Sequence, residues 1–308
     1  MRAVVLGSAA GGGFPQWNCA CAGCRRARAN DPAALHRTQT SLAVSADGHA
    51  WVILNAAPDL PAQIAANRFL QPGPDARGRA SPIAAVVLTS GEVDTVAGLL
   101  SLREGQPFVV HGAASTLAIL DDNPIFRVLP ASRVPRYAHD GDRTVALATA
   151  AGEKLGLEME LFAVPGKVPL FNETEQDPFR ADEAGTVGVR IAEPGGPSLF
   201  FVPGCARVTP ELRRRLDSAA LLLFDGTLWH DEEMIAAGLG QKTGARMGHM
   251  SISGPGGTIA ALRDVAVGRR VFIHINNTNP VLLTDSPEYA EAVAAGWTVA
   301  RDGMEFSL

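Results

Sequence analysis

Three of the four cysteines in this 308-residue chain fall within six positions, Cys19-Ala20-Cys21-Ala22-Gly23-Cys24. Thiolates this close together wrap one ion without strain, and zinc, with four tetrahedral ligands, suits such a set. Gly23 lets the backbone fold close to the metal, and Arg25, Arg26 and Arg28 offset part of the negative charge of a three-thiolate complex. A structural zinc site fills all four positions, so the fourth ligand must come from distant sequence. The alternative is three reduced cysteines in an ordinary loop. Cys205 stands alone and reads as a small core residue.

A second group of residues is rich in oxygen. Thr89-Ser90-Gly91-Glu92-Val93-Asp94-Thr95 lies where an apolar strand runs into a helix. Glu92 and Asp94 alternate, so both carboxylates can face one cleft. With the Ser90 and Thr95 hydroxyls they make a hard site suited to Mg²⁺, Mn²⁺ or Fe²⁺. The competing reading has Asp94 capping the helix and Glu92 solvated. Three further segments offer side chains of the right type: Asp225-Gly226-Thr227 after an apolar run, Met247-Gly248-His249, and Ile273-His274-Ile275-Asn276-Asn277. A lone histidine in an apolar strand is more often a core residue, but His274 is followed at once by Asn276, Asn277 and Asn279, amides of the kind that line polar pockets. His111 and His139 lack such company and read as ordinary, while Asp285, Asp302 and Glu305 read as caps and turns.

These side chains need elements to hold them. Residues 2–7 read as a buried strand ending in Gly11-Gly12-Gly13. Residues 40–45 and 50–55, separated by Asp47-Gly48, carry the signature of a β-hairpin. Further strands are expected at 83–89, 107–111, 157–163, 186–192, 198–202, 219–224 and 270–275. Helices are expected at 61–69, 96–103, 210–216, 256–265 and 287–295. Residues 72–82 are rich in Gly, Pro and Arg and read as an exposed loop. Residues 165–182 lack periodicity and read as a flap over a pocket. Hairpins first and then strands alternating with helices fit one α/β (α+β) domain over residues 1–308, with two mixed sheets packed between helices. A doubly wound dinucleotide fold fits less well, because the glycine loop runs into Phe14-Pro15-Gln16-Trp17 rather than a helix.

Composition narrows the partners. Apolar residues make up 46% of the chain, enough for a core without disulfide or metal staples. The net charge is −5, with 27 basic and 32 acidic residues mixed along the sequence, and no basic stripe points to nucleic acid or a membrane surface. The longest apolar run, 219–224, is strand-sized, far short of the ~20 residues of a membrane span. With no export signal in view, a cytoplasmic location is expected, and there clustered cysteines favour metal over disulfides.

Longer strings carry a resemblance. Residues 6–19 (Leu-Gly-Ser-Ala-Ala-Gly-Gly-Gly-Phe-Pro-Gln-Trp-Asn-Cys), residues 98–104, Asp225-Gly226-Thr227-Leu228-Trp229, Met247-Gly248-His249 and residues 274–280 together resemble the metallo-β-lactamase superfamily. Over nearly the whole chain they are similar, more closely, to its branch acting in pyrroloquinoline quinone (PQQ) biosynthesis. The resemblance implies an αββα sandwich with the active site along one edge of the sheets. The superfamily holds two metals with a His-x-His-x-Asp-His turn. The matching positions here are Ser90, Glu92, Asp94 and Thr95, so only the aspartate is retained. The later bridging aspartate falls near Gly204-Cys205, where there is no carboxylate, whereas His274 matches the last metal-binding histidine. These losses argue against a binuclear zinc hydrolase. They leave Glu92, Asp94 and His274, with Asp225 as a further ligand or a base behind them, a set close in character to non-haem iron oxygenase sites. The cysteine loop also resembles that of the superfamily's phosphodiesterase branch, in which a downstream histidine completes the zinc site. The corresponding position here is Asn277.

The resemblance therefore implies a structural Zn²⁺ at Cys19, Cys21, Cys24 and Asn277, and an Fe²⁺- and O₂-dependent hydroxylase. Its substrate is a small quinone precursor or a cross-linked Glu–Tyr unit cut from a peptide, oxygenated on the tyrosine-derived ring. His249 would move protons or orient that ring, Ser90 and Thr95 would shape the site, and Arg103 or Lys242 would pair with substrate carboxylates or stay solvated. Two rival functions are a PQQ carrier without turnover and a hydrolase of phosphodiester or lactam bonds. Whether the chain is a monomer or a homodimer stays open.

Overall fold

The computed structural model describes residues 1–139, 141–167 and 185–308. Most of the expected flap, from residue 168 onward, lies outside the described residues. The chain lays down β1 (Arg2–Gly7), β2 (Ser41–Ser45), β3 (Trp51–Leu54), β4 (Ile83–Val87), β5 (Val109–Gly112) and β6 (Arg136–Ala138). It continues with β7 (Val145–Ala148), β8 (Lys154–Ala163), β9 (Val187–Ala192), β10 (Ser198–Val202), β11 (Ala219–Asp225), β12 (Val267–Ile273), β13 (Trp297–Val299) and β14 (Glu305–Ser307). Helices α1 (Ala22–Arg28), α2 (Leu60–Ala66), α3 (Val93–Val96), α4 (Ala114–Asp122), α5 (Pro210–Leu216), α6 (Glu233–Ala236), α7 (Thr258–Ala261) and α8 (Pro287–Ala294) lie between them. Among the described residues no helix is long and apolar enough to cross a membrane.

Two seven-stranded sheets result, in the orders β14-β1-β2-β3-β4-β5-β6 and β13-β12-β11-β10-β9-β8-β7. Both are mixed. The β1–β2–β3 pairs are antiparallel and β3 through β6 parallel. In the second sheet β8–β9–β10 are antiparallel and β10 through β13 parallel.

The side-chain alternation of β11 explains the layering. Leu221 and Leu223 enter the core between the sheets with Val5, Leu42 and Val87 of the first sheet. Leu222 and Phe224 face the other way, onto Leu212 and Leu216 of α5. A strand covered on both faces reads as an unbroken apolar run, which is what residues 219–224 are. On the far side of the first sheet, Trp51, Ile53 and Val86 pack against Leu60 of α2 and Leu117 and Leu120 of α4. Each fully buried Leu or Phe contributes ~1.5–3 kcal/mol to the sandwich. The four layers are helix, sheet, sheet, helix.

Several local expectations need correction. The helix expected at 96–103 is one α-turn, α3, followed by a 3₁₀ segment over Ala97–Leu102. Gly98 causes the change: its N–H donates to Ala56 O at 2.8 Å, out of the helical ladder. An added Cβ there would stand 2.1 Å from Ala57 O. The helix expected at 256–265 is only the single turn α7, because Gly254, Gly256 and Gly257 occupy its approach. Residues 22–28, where no helix is expected from the sequence, form α1.

Candidate metal centres

One cavity of about 130 Å³ opens at the edge where the two sheets end. Ser90, Glu92, Asp94, Thr95, His249 and His274 all line it, together with Lys167 and the hydroxyl or amide groups of Thr40, Asn55, Thr89 and Thr186. The exits of β3, β4, β10 and β12 supply most of these side chains, as parallel strands bring loops to a shared edge.

The turn after β4 is organised by hydroxyls. Ser90 Oγ accepts from the Glu92 N–H at 3.3 Å and meets Thr95 Oγ1 at 3.1 Å. Glu92 occupies the position before α3 but makes no side-chain cap. Its carboxylate turns to the cavity, where Lys167 Nζ donates to Oε1 at 3.2 Å. Asp94 sits in the first turn of α3, and its Oδ2 stands 3.1 Å from His274 Nε2. The capping reading of these two acids therefore does not hold.

His274 follows β12 directly and adopts φ +58°, and Asn55 on the opposite wall has φ +62°. Left-handed backbone at a residue other than glycine costs about 1–3 kcal/mol and persists only where the surroundings fix it. At Asn55 the fixing bonds run from Thr89 N and Oγ1 to Oδ1, at 2.9 and 3.0 Å. Next to His274, Ile275 N donates to Ser8 O at 3.0 Å and Asn276 N to Thr227 O at 3.0 Å.

Beneath the histidines lies a buried pair. Asp225 is 0% exposed. Its Oδ2 accepts from His249 Nδ1 at 2.7 Å and Cys205 N at 2.8 Å, and its Oδ1 from Thr227 N at 3.0 Å and Thr227 Oγ1 at 2.6 Å. Thr227 Oγ1 also stands 3.0 Å from His274 O and from the Nδ1 atoms of His249 and His274. Both imidazoles thus turn Nδ1 to the floor and leave Nε2 on the other side of the ring.

Charge follows from this arrangement. His274 Nε2 and Asp94 Oδ2, 3.1 Å apart, can share a proton or a metal cation. Burial works against an imidazolium at His274. The hydrogen bond and charge of Asp94, with Asp225 and Glu92 beyond, nonetheless lift its pKa above the ordinary histidine value. Burial likewise raises the Asp94 pKa, but the His274 pairing carries it below the usual range. A divalent ion replacing that proton would meet Asp94 and His274, with Glu92 and His249 lining the same cavity. Asp225, His249 and His274 also offer ligand atoms within 4.8 Å of one another. Asp225 accepts four hydrogen bonds and is not among the cavity-lining residues, so without a metal it orients His249 and Thr227.

The second centre is the cysteine cluster, whose three sulfurs lie within 4.8 Å of one another. Zinc at ~2.3 Å from each sulfur would set them roughly 3.8 Å apart. Asn277 Nδ2 stands 3.1, 3.8 and 3.5 Å from the sulfurs of Cys19, Cys21 and Cys24. Cys19 Sγ accepts from Cys21 N and Cys21 Sγ from Cys24 N, each at 3.4 Å. Burial, together with the neighbouring Cys21 sulfur, pushes the Cys24 thiol up to about 12. Burial also opposes ionisation of Cys19, but the hydrogen bonds from Cys21, Cys24 and Asn277 bring its thiol below the ordinary value. Three thiolates so close need a cation to coexist, and a dication suits them. Arg26 and Arg28 are committed elsewhere. Arg26 pairs with Asp31 and Asp285, and Arg28 donates to the carbonyls of Cys19 and Gln16. Cys205 is buried, as a core residue would be.

Other side chains fall elsewhere. Arg103 is exposed and donates to Leu100 O, and Lys242 is not among the cavity-lining residues. Lys167, which carried no signal beyond its place in an aperiodic segment, takes the cationic position instead. Thr227 was legible only as part of Asp225-Gly226-Thr227. Asp302 accepts from Ser8 and Thr38, and Glu305 pairs with Arg2. His111 and His139, read as ordinary, form a hydrogen-bonded pair at 2.8 Å.

The chain's relatives match this architecture. Residues 50–275 match the model of the β-lactamase superfamily domain. The coenzyme PQQ synthesis protein B of Gluconacetobacter diazotrophicus is 55% identical over 305 residues, covering 99% of this chain and 98% of its own. That of Methylorubrum populi is 52% identical over 308 residues, covering both chains completely. The crystal structure of Zn²⁺-bound PqqB from Methylobacterium extorquens superposes with a TM-score of 0.94 at 50% identity, over 100% of both chains. A diphosphatase of the PhnP family shares the fold at TM-score 0.69 and 19% identity, over 100% of this chain and 97% of its own. The full-length identity, the sandwich and the superposition agree: the chain belongs to the coenzyme PQQ synthesis protein B family of the β-lactamase superfamily.

Proposed function

We propose that this protein acts in PQQ synthesis as an iron- and O₂-dependent hydroxylase of the tyrosine-derived ring of a cross-linked Glu–Tyr intermediate. The observation that carries the reading is the Asp94–His274 contact at 3.1 Å on the cavity wall, a carboxylate and an imidazole set to share a cation. Ferrous iron held there by Asp94, His274 and Glu92 would supply O₂ activation, and zinc held by Cys19, Cys21, Cys24 and Asn277 would be structural. The zinc of the Methylobacterium extorquens relative supports a metal in this family. Net hydroxylation puts one oxygen atom of O₂ on a ring carbon. The other leaves as water, with two electrons and two protons from the substrate or an external reductant.

The protein's own groups have separate tasks. Asp225 holds His249 with Nδ1 protonated, so Nε2 can bind a metal or take a ring proton. Ser90 and Thr95 keep the turn that aims Glu92 and Asp94. Lys167, partnered with Glu92, carries positive charge suited to a substrate carboxylate. Hydrolase chemistry is disfavoured because, by the family resemblance, Ser90, Glu92 and Thr95 take the positions of the superfamily's metal-binding histidines. The test is O₂ consumption by anaerobically prepared, iron-loaded protein with a cross-linked Glu–Tyr peptide, followed by mass analysis. A product gaining oxygen from O₂ is expected. Tight PQQ binding without O₂ uptake would make the protein a carrier, and zinc-dependent ester cleavage would make it a hydrolase.

A further inference from the structure

Two stretches of chain connect the two centres. One runs from His274 at the cavity to Asn277 among the sulfurs, with only Ile275 and Asn276 between. Its end is tied to the exit of β11 by Asn279 Nδ2 donating to Gly226 O at 2.9 Å. The other is the loop after β1. Ala10 N donates to Ile275 O at 2.9 Å, and Ile275 N returns to Ser8 O at 3.0 Å. The loop then passes Asp94, where a Cβ added at Gly11 would stand 3.6 Å from Oδ2. It continues through buried Phe14, which packs on Gly23, to the three cysteines.

We infer that the thiolate site is a positioning device for the cavity centre, so that metal affinity in the cavity depends on occupancy at the cysteines. Zinc gathered by Cys19, Cys21, Cys24 and Asn277 clamps residues 274–279 to the β1 loop. The clamp keeps His274 in its left-handed backbone, facing Asp94. Without the ion, Asn277 is held among the sulfurs only by contacts of 3.1–3.8 Å. This inference rests on the ligand sets assigned above and not on hydroxylation.

The test uses Mn²⁺, a hard ion that prefers the cavity's oxygen and imidazole ligands to thiolates. Free Mn²⁺ is counted by electron paramagnetic resonance while zinc is measured in the same samples. Asn277→Ala and Cys24→Ser should lose zinc and bind Mn²⁺ about 10–100-fold more weakly, the usual loss when a metal site's support is removed. Asn277→Asp keeps a zinc ligand and should restore both zinc and near-normal Mn²⁺ affinity. Zinc-depleted variants that stay folded by circular dichroism and bind Mn²⁺ like the unmodified protein would overturn the inference. Should the variants fail to fold, chelator-stripped protein given back one equivalent of zinc takes their place. Recovery of Mn²⁺ affinity on re-addition is then expected, and an unchanged affinity overturns the inference.

Discussion

Asp94 and His274 are 180 residues apart in the chain, yet Oδ2 of one stands 3.1 Å from Nε2 of the other. In metal-free protein this is an ion pair whose benefit depends on pH. The raised pKa of His274 gives stability that is complete below the ordinary histidine value of ~6.5 and is lost as pH climbs through the raised value. The lowered pKa of Asp94 gives stability that is complete above ~3.9 and is lost as pH falls through the lowered value. The pair therefore helps most between about pH 4 and 6.5. Urea unfolding of metal-free protein across pH should show this advantage disappearing in Asp94→Asn. Metal affinity has the opposite trend, rising with pH as the His274 proton leaves.

Asp225→Asn preserves shape but replaces one acceptor oxygen with an N–H₂ donor. The amide cannot accept from Cys205 N, His249 Nδ1 and both Thr227 donors at once. Affinity for the cavity metal, measured by titration with Mn²⁺, should fall about 10–100-fold. Zinc content should stay unchanged. An unaltered Mn²⁺ affinity would show that His249 needs no orienting partner.

Lys167→Met removes a positive charge from the cavity wall while keeping its aliphatic bulk. The cation opposes a bound dication and competes for Glu92, so divalent metal binding should tighten by about tenfold at low salt. Substrate recognition should move the other way, with KM rising for the carboxylate-bearing peptide. Parallel weakening of both would contradict the placement of Lys167 between Glu92 and the substrate.

Gly98→Ala tests the turn from behind. Its Cβ would stand 2.1 Å from Ala57 O, so the backbone of the 92–98 turn must shift. Thermal unfolding should register a loss of ~1–3 kcal/mol or more. The metal titration should show that Glu92 and Asp94 have been displaced as well.

Much of the sandwich was legible because its strands are apolar on both faces, as residues 219–224 show. The cysteine spacing and the convergence of Glu92, Asp94 and His274 on one cleft were legible for a related reason: their side-chain types announce chemistry wherever they stand. What the sequence hid was set by three-dimensional contact. Gly98 looks helical until Ala56 and Ala57 approach it. Thr227 looks like a turn residue until two imidazoles and a carboxylate close around its hydroxyl. Lys167 belongs to a segment with no pattern, and only the fold places it opposite Glu92. Asp225 ends a central strand, and only the fold shows that its oxygens accept four hydrogen bonds beneath the two histidines.

The left-handed backbones at Asn55 and His274 limit how far this protein can be stabilised. Glycine would relax either position, and at Asn55 the change sacrifices only an amide that steadies Thr89. At His274 the same relief deletes the imidazole. Selection for heat resistance alone would therefore drift towards a robust sandwich with an inert cavity, and any thermostable working variant must find its gains away from this corner.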